Sequence, residues 1–288
     1  MFRLFVSDLD GTLFNSRQQI SPANIAAIKR LQASGIEFIV NTGRDAANTL
    51  ELFKDTGIEF GLICSNGATA HTADGTCLFE HMLPKPVVYE LLNTLKTHGF
   101  TPVLFSKNGK ISLGSRKATY EYMKTVMIPS IQVSHPDFVY TEALVHFFLD
   151  STTFYDTIED AYAQGEEILK VITHSLNPAA LEALQKDMEA IDGLSVANTA
   201  PTDLEITSKE ADKGKGLLAY AAYKGYAPEE IIAVGDSGND YSMLSLPGIY
   251  GVAMANATDA VKSVCKEETK ANTEDGVAAL IEKILKDC

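Results

Sequence analysis

The sequence predicts an α/β fold: a doubly wound, mostly parallel sheet forms a core, and a separate α+β domain is inserted into it. Three observations support this prediction. Short apolar runs typical of buried strands alternate with helical periodicity at both ends of the chain, the middle breaks that alternation, and no long flexible linker separates the parts. A chain of 288 residues with 45% hydrophobic side chains is long enough for two such domains.

The first βαβ unit lies at the amino-terminal end. Leu4–Val6 and Ile36–Val40 are predicted strands, and residues 22–34 between them carry apolar side chains at helical spacing. Ser21 is a suitable N-cap for this helix, and Pro22 suits its first position. Gly35 suits the left-handed position that ends a helix, so these signals predict both the start and the end of the helix.

The core pattern continues on both sides of the insertion. A helix at 46–56 and a strand at 61–65 follow the first unit, and Asp74-Gly75 predicts a tight hairpin where the parallel pattern pauses. Near the carboxyl-terminal end, the predicted strands are 231–234 and 250–254, and the predicted helices are 214–224, 241–246, 258–266 and 276–286.

The inserted domain is predicted to span 83–198, so that the core consists of 1–82 and 199–288. After Leu83-Pro84-Lys85-Pro86 the pattern becomes a mixture of strands and helices. It contains a helix to His98, strand-like runs at 101–105, 110–113 and 194–197, apolar runs at 144–149 and 168–173, and a helix begun by Asn177-Pro178. We expect this domain to close over the core by movement at 83–85 and 198–202.

The charge balance favours a small substrate over a polyanionic partner. Thirty-eight acidic residues against 24 basic ones give a formal charge of −14, which repels nucleic acid and anionic membranes. The amino-terminal end enters a strand at once, without a signal sequence or an apolar run of about 18 residues, so we expect a cytoplasmic protein. We also expect a monomer or a weak homo-oligomer.

Two acidic stretches each follow a predicted strand: Asp8-Leu9-Asp10-Gly11-Thr12 and Gly235-Asp236-Ser237-Gly238-Asn239-Asp240. Asp8 and Asp10 are two residues apart, so in extended backbone they project to the same face, where two anions need a cation or a shared proton. Mg²⁺ prefers oxygen ligands of this kind. The four cysteines, Cys64, Cys77, Cys265 and Cys288, lack the spacing of a zinc site. The stretches therefore predict a site for Mg²⁺ and a phosphate.

Four segments, taken in order, resemble the motifs of the haloacid dehalogenase superfamily. They are Asp8–Leu13, Thr42-Gly43-Arg44, Lys213-Gly214 and Gly235–Asp240. Segments 65–68, 254–257 and 275–278 further resemble the Cof-type phosphatase subfamily, whose large C2-type cap is inserted between the second and third motifs. The resemblance implies a Rossmann-like core, a specificity cap and a magnesium-dependent phosphatase activity.

Asp8 and Asp10 are the candidate catalytic residues. A carboxylate can accept a phosphoryl group before water releases it, and Asp8 lies at the carboxyl end of a strand, where open α/β sheets bind ligands. The resemblance makes Asp8 the nucleophile and a metal ligand. It implies that Asp10 binds the metal through its main-chain carbonyl, while its side chain protonates the leaving group and then deprotonates water. The alternative for both residues is an ordinary turn or cap.

The second acidic stretch supplies the other metal-site candidates. Asp236 follows a strand predicted to lie near the first, so its carboxylate can complete the metal site. We expect Asp240 to support the metal site without binding the ion itself, and to orient Lys213. We expect Asn239 to donate a hydrogen bond to phosphate. Gly, Ser and Asn also favour turns, so this stretch is equally a strand-to-helix turn, and both interpretations can hold together.

Phosphate binding is assigned to residues at two helix starts. The Thr42 hydroxyl and the amides around Gly43 lie where a strand ends and a helix begins, a position that favours anions, although Thr42 is also a plausible helix cap. Lys213 would offset phosphate charge, as the superfamily lysine does, with Lys209 and Lys215 as alternatives. Arg44 could be a further phosphate ligand, but we expect it to be an ordinary exposed arginine.

The sequence thus predicts a Mg²⁺-dependent phosphatase of a small phosphorylated metabolite that works through an aspartyl phosphate. Among substrates, a sugar phosphate is the family default. Three alternatives stay open: a phosphatase of a phosphorylated cofactor such as pyridoxal phosphate or flavin mononucleotide, a phosphotransferase or phosphomutase, and a non-enzymatic phospho-aspartate switch.

Overall fold

The computed structural model describes residues 1–134, 136, 139–198 and 200–287. Thr199, in one predicted hinge, and Cys288, one of the four cysteines, lie outside the described residues. The chain divides into two compact units, Met1–Glu80 with Ala211–Cys288, and His81–Glu210.

The first segment of the first unit alternates strands and helices before it ends in a hairpin. Ser21 Oγ accepts a hydrogen bond from the Asn24 amide at 3.1 Å, so it caps the first helix as predicted. The second helix ends earlier than predicted because the chain turns after Phe53, whose carbonyl accepts from the Thr56 hydroxyl at 2.7 Å. The elements are β1 (Leu4–Ser7), α1 (Pro22–Ala33), β2 (Glu37–Asn41), α2 (Ala46–Phe53), β3 (Gly61–Cys64), β4 (Thr69–His71) and β5 (Cys77–Glu80).

The second unit is an α+β module with a six-stranded sheet in the order β10-β11-β9-β6-β7-β8. Its elements are α3 (Lys85–Thr97), β6 (Val103–Ser106), β7 (Gly109–Leu113), α4 (Arg116–Tyr122), α5 (Ile128–Ser134), α6 (Glu142–Asp150), β8 (Thr152–Tyr155), α7 (Ile158–Ala163), β9 (Ile168–His174), α8 (Pro178–Glu189), β10 (Leu194–Ala197) and β11 (Asp203–Ser208). The apolar run at 144–149 lies in α6, where Val145 and Leu149, four residues apart, are both buried.

The boundary after the second unit differs from the predicted one at 198. Strand β11 pairs antiparallel with both β9 and β10, so residues 203–208 belong to the second sheet. All six residues of β11 are buried. The chain therefore returns to the first unit at Ala211 rather than at 199.

The returning segment completes the sheet of the first unit. Its elements are α9 (Lys213–Lys224), β12 (Ile231–Gly235), α10 (Tyr241–Leu244), β13 (Tyr250–Ala253), α11 (Asp259–Lys262), β14 (Glu267–Glu268) and α12 (Gly276–Asp287). The eight strands have the order β14-β13-β12-β1-β2-β3-β4-β5 and are parallel from β14 to β3. The chain order reverses at β1, which confirms the doubly wound core and makes its carboxyl edge the expected ligand position. Among the described residues, none of the helices combines the length and the apolar composition that a membrane span requires.

Candidate active site

The two acidic stretches meet at the carboxyl edge of the central strands. Strands β1 and β12 are neighbours, with Ser7 opposite Val234, and the Asp8 amide donates to the Val234 carbonyl at 3.1 Å. This register places Asp8 and Asp236 at the ends of adjacent strands. One ligand oxygen from each of Asp8, Asp236 and Asp240 lies within 4.8 Å of the others.

The turn after Asp8 is shaped to fit Asp236. Gly11 has a φ of +79°, and a Cβ at this position would lie 2.4 Å from Asp236 Oδ2, so a side chain would both strain the backbone and collide. The next residue, Thr12, donates its hydroxyl to Asp236 Oδ1 at 2.7 Å. The turn therefore fixes the Asp236 carboxylate next to the end of β1.

Lys213 is the buried cation of the site. Its ammonium donates to Asp8 Oδ1 at 2.5 Å and to Asp240 Oδ1 at 2.6 Å, and its side chain has no exposed area. The other Asp240 oxygen accepts from the amides of Asp236 and Ser237 at 2.9 and 3.1 Å. The Asp240 carboxylate therefore orients Lys213 and fixes the backbone of the loop.

The alternatives to Lys213 lie elsewhere. The Lys209 ammonium forms an ion pair with Asp192 at 2.8 Å, within the second unit. Lys215 is exposed on α9. Of the three lysines, the structure brings Lys213 into contact with Asp8.

The buried cluster has too little positive charge for its carboxylates. Burial and the neighbouring Asp240 raise the pKa of Asp8 well above its ordinary value, although Lys213 opposes this. Burial, again with Asp240, raises the pKa of Asp236 to about 7. Burial would lower the pKa of Lys213, but Asp240 and Asp8 raise it overall, so this ammonium stays charged.

The donor set fits a hard divalent cation. Three carboxylates around one ammonium leave two negative charges when all are ionised, and carboxylate oxygens are ligands that Mg²⁺ prefers. Asp240 is committed to Lys213 and the two amides, so Asp8 and Asp236 are the residues able to hold the ion.

The Asp10 side chain points to a different partner. Both of its carboxylate oxygens accept from Arg44, from Nε at 2.7 Å and from Nη2 at 2.6 Å. Arg44 is held in turn by Asn48 Oδ1 at 2.9 Å and by Gln18 Oε1 at 3.3 Å, and its guanidinium lies 5.3 Å from the Phe14 ring centre. Contrary to expectation, only 20% of the Arg44 side chain is exposed. In the sequence, the position of Arg44 directly after Gly43 is the feature that could have indicated its place in the site.

The Thr42 loop packs at the end of β2. The Thr42 amide donates to the Ile63 carbonyl at 2.9 Å, and its hydroxyl oxygen accepts from the Arg44 amide at 3.1 Å. The N-cap of α2 is Asp45, so Thr42 caps the turn before that helix rather than the helix itself. Because the Thr42 oxygen is the acceptor in this contact, the hydroxyl can still donate its hydrogen to another group.

Asn239 meets a residue for which the sequence suggested no role. Its amide nitrogen donates to Asn66 Oδ1 at 3.1 Å, and its own oxygen accepts from the Ser237 hydroxyl at 2.6 Å. Asn66 follows β3 and is 8% exposed. The resemblance of residues 65–68 to the Cof-type subfamily is the sequence signal that marks this segment.

Comparisons with known proteins agree along the whole chain. A family model described as haloacid dehalogenase-like hydrolase matches residues 5–281. Phosphatase YwpJ of Bacillus subtilis is 29% identical over 289 residues, which cover 98% of this chain and 100% of that protein. The 5-amino-6-(5-phospho-D-ribitylamino)uracil phosphatase YwtE of the same organism is 28% identical and covers 96% of each. The solved structure of a haloacid dehalogenase-like hydrolase from B. subtilis superposes with a TM-score of 0.82 at 27% identity, over 98% of this chain and 99% of that one.

Proposed function

The chain belongs to the haloacid dehalogenase-like hydrolase family, and we propose that it is a Mg²⁺-dependent phosphatase that forms an aspartyl phosphate on Asp8. Its substrate is a small phosphorylated metabolite. The observation that supports this most is the Asp8 carboxylate at the end of β1, held by Lys213 through one oxygen and placed beside Asp236. That arrangement presents a carboxylate to an incoming phosphoryl group, with a cation beside it to offset negative charge.

In the first step, an Asp8 oxygen forms a bond to phosphorus as the bond from phosphorus to the ester oxygen breaks. The leaving alkoxide takes a proton from Asp10. In the second step, water loses a proton to Asp10 and attacks the phosphorus, which releases inorganic phosphate and regenerates the Asp8 carboxylate.

Asp10 must change partners to do this work. Both of its oxygens are bound by Arg44 in the structure, so at least one of them has to leave the guanidinium before it can carry a proton to the ester oxygen. Asp10 is half exposed, with 50% of its side chain accessible, and it follows Leu9 in a turn rather than in a strand. This position leaves room for a rotation of the side chain.

Asp8, Asp236 and the main-chain carbonyl of Asp10 would hold Mg²⁺. When bound, the ion would neutralise the carboxylates and the phosphoryl oxygens. The unbalanced negative charge of the buried cluster supports this assignment.

The phosphate would be bound by the Thr42 hydroxyl, the Gly43 amide, the Asn239 carboxamide and the Lys213 ammonium. These groups lie on the loops that follow β2 and β12 and at the first residue of α9. All of them donate hydrogen bonds, as an anion requires. We assign selection of the organic part of the substrate to the second unit.

We propose a sugar phosphate as the substrate class, with a phosphorylated cofactor such as pyridoxal phosphate or flavin mononucleotide as the second candidate. The name of the relative YwtE describes a phosphorylated ribityl compound, which combines a sugar-like chain with a heterocycle. A non-catalytic switch is set aside because the hydrolase family model spans 5–281. A phosphotransferase would need an acceptor for turnover, whereas a phosphatase releases phosphate to water.

The test is a panel of phosphate esters assayed with and without Mg²⁺, with the wild type beside Asp8→Asn. We expect metal-dependent phosphate release that Asp8→Asn abolishes. Asp55→Asn, the same change at an exposed position of the first unit, is the matched control and should retain full activity. Release that requires an added sugar acceptor would replace the phosphatase with a phosphotransferase, and equal activity in Asp8→Asn would reject the nucleophile.

A further inference from the structure

The loops that carry the candidate phosphate ligands meet at one turn, Ser65-Asn66-Gly67. We propose that Asn66 is a positioning residue of the site: its carboxamide holds Asn239 against the Thr42-Gly43 loop. The inference rests on the proposed function, because phosphate is the ligand that this arrangement would serve. Four observations of geometry support it.

The backbone of the turn is held in an unfavourable conformation. Ser65, Asn66 and Gly67 have φ values of +50°, +56° and +94°, and two of these three residues carry a side chain. Consecutive left-handed residues other than glycine are rare, and they persist where the surroundings hold them in place. Ser65 and Asn66 are buried, at 2% and 8% exposure, so packing can supply that restraint.

The turn carries the Thr42 loop on two backbone hydrogen bonds. The Ser65 amide donates to the Arg44 carbonyl at 2.9 Å, and the Asn66 amide donates to the Thr42 carbonyl at 3.0 Å. A Cβ on Gly43 would lie 3.0 Å from Asn66 Oδ1. The carboxamide therefore lies directly against the backbone of the loop that is proposed to bind phosphate.

The same carboxamide fixes the orientation of Asn239. Asn66 Oδ1 accepts one hydrogen of the Asn239 amide nitrogen at 3.1 Å, while Ser237 donates to the Asn239 oxygen at 2.6 Å. An amide nitrogen carries two hydrogens, so the second one keeps a defined direction for another acceptor. Without Asn66, one of the two restraints on this side chain is lost.

The turn also contacts the chain just before Lys213. A Cβ on Gly67 would lie 2.3 Å from the Asp212 carbonyl oxygen, so only glycine allows the two backbones to approach this closely. Asp212 caps α9 by accepting from the Lys215 amide at 2.9 Å, and Lys213 is the first residue of that helix. The turn thus connects the loops of Thr42, Asn239 and Lys213.

Asn66→Gly removes the carboxamide without straining the backbone, because glycine adopts the left-handed conformation freely. The variant therefore tests the role of the side chain alone. We expect KM and the inhibition constant of inorganic phosphate to rise about five- to tenfold, as for the loss of one well-placed hydrogen bond. The thermal midpoint should stay near that of the wild type. Asp275→Gly is the matched control: Asp275 has a φ of +57°, and its side chain accepts from Ser21 Oγ at 2.5 Å, so we expect unchanged phosphate inhibition.

A double-mutant cycle distinguishes positioning from a general structural effect. If Asn66 acts through Asn239, Asn66→Gly in an Asn239→Ala background should weaken phosphate inhibition further by less than about twofold. Fully additive losses, or wild-type inhibition in Asn66→Gly, would overturn the inference while phosphate release by the wild type still stood.

If Asn66→Gly does not fold, Asn66→Ala replaces it. Alanine also removes the acceptor oxygen for Asn239, so we expect the same loss of phosphate inhibition, about five- to tenfold. Unchanged inhibition in this variant would overturn the inference. A wild type that releases no phosphate from any ester with Mg²⁺ present would instead reject the proposed function, and the inference with it.

Discussion

Arg44 binds both carboxylate oxygens of Asp10, from Nε at 2.7 Å and from Nη2 at 2.6 Å. This planar, two-point contact fixes the direction of the Asp10 side chain in the resting protein. The proposed proton transfers start from that position, so the guanidinium sets the geometry from which Asp10 rotates toward the ester oxygen.

Arg44→Lys should therefore lower kcat about tenfold, because an ammonium cannot bind both oxygens in one plane. Steady-state kinetics on the best ester of the panel would measure this. Arg17→Lys, the same change at an exposed arginine, is the control and should leave kcat unchanged. A wild-type kcat in Arg44→Lys would show that the contact plays no part in positioning Asp10.

Lys213→Met should abolish activity and destabilise the protein. The change leaves the buried carboxylates of Asp8 and Asp240 without their shared cation, and breaking a buried pair typically costs about 3–5 kcal/mol. Chemical denaturation gives the free energy of unfolding, with exposed Lys215→Met as the control. An active Lys213→Met enzyme of unchanged stability would remove Lys213 from the site.

The metal-free protein should lose stability as the pH rises from about 4 to about 7, because Asp236 has a raised pKa of about 7 in the folded chain. Between these pH values the folded chain keeps a proton that the unfolded chain has released, so the contribution of this carboxyl to stability declines with rising pH and changes no further above about pH 7. Denaturation at pH 5 and pH 8, for the wild type and Asp236→Asn, isolates the effect.

Mg²⁺ should reverse this loss in the wild type at pH 8, because it balances the ionised carboxylates. Asp236→Asn should be the more stable protein at pH 8 without metal and should gain less from added Mg²⁺. Equal gains in both proteins would contradict the assignment of Asp236 as a metal ligand.

A second pH effect is expected in the second unit, where burial lowers the pKa of His174 to about 4. Its Nδ1 lies 3.2 Å from the Tyr122 hydroxyl, an arrangement that suits a neutral ring. The unfolded chain takes up a proton below about pH 6.5 while the folded chain does not, so stability should fall as the pH drops from 6.5 toward 4. His174→Gln should weaken this dependence, whereas His146→Gln, an exposed histidine of the same unit, should not.

The convergence of Asp8, Asp236 and Lys213 follows from patterns that the sequence displays. Apolar runs predict β1 and β12 as strands, and the α/β alternation predicts that they lie near each other in a parallel sheet, as the structure shows. Residues that directly follow such strands share one edge of the sheet. Ser21 and Pro22 likewise predict the start of α1, because serine suits an N-cap and proline suits the first helical position. These features are local or follow from the topology.

Arg44, Asn66 and strand β11 depend on contacts that local patterns do not contain. Arg44 and Asp10 are 34 residues apart in the sequence, and Asn66 and Asn239 are 173 residues apart. The left-handed backbone of Asn66 is maintained by its tertiary surroundings, not by its own preference. Strand β11 follows Pro201 and Thr202, which resemble a linker, and only its pairing with β9 and β10 shows that the second unit extends this far.

The central claim is that Asp8 carries the phosphoryl group during turnover. Rapid acid quench of the enzyme with its best ester and Mg²⁺, followed by peptide mass spectrometry, tests it most directly. We predict one phosphoryl group on the peptide that contains Asp8 in the wild type, a larger fraction in Asp10→Ala because water is then poorly activated, and none in Asp8→Asn. Steady phosphate release with no phosphoryl group on that peptide in either active protein would contradict the account.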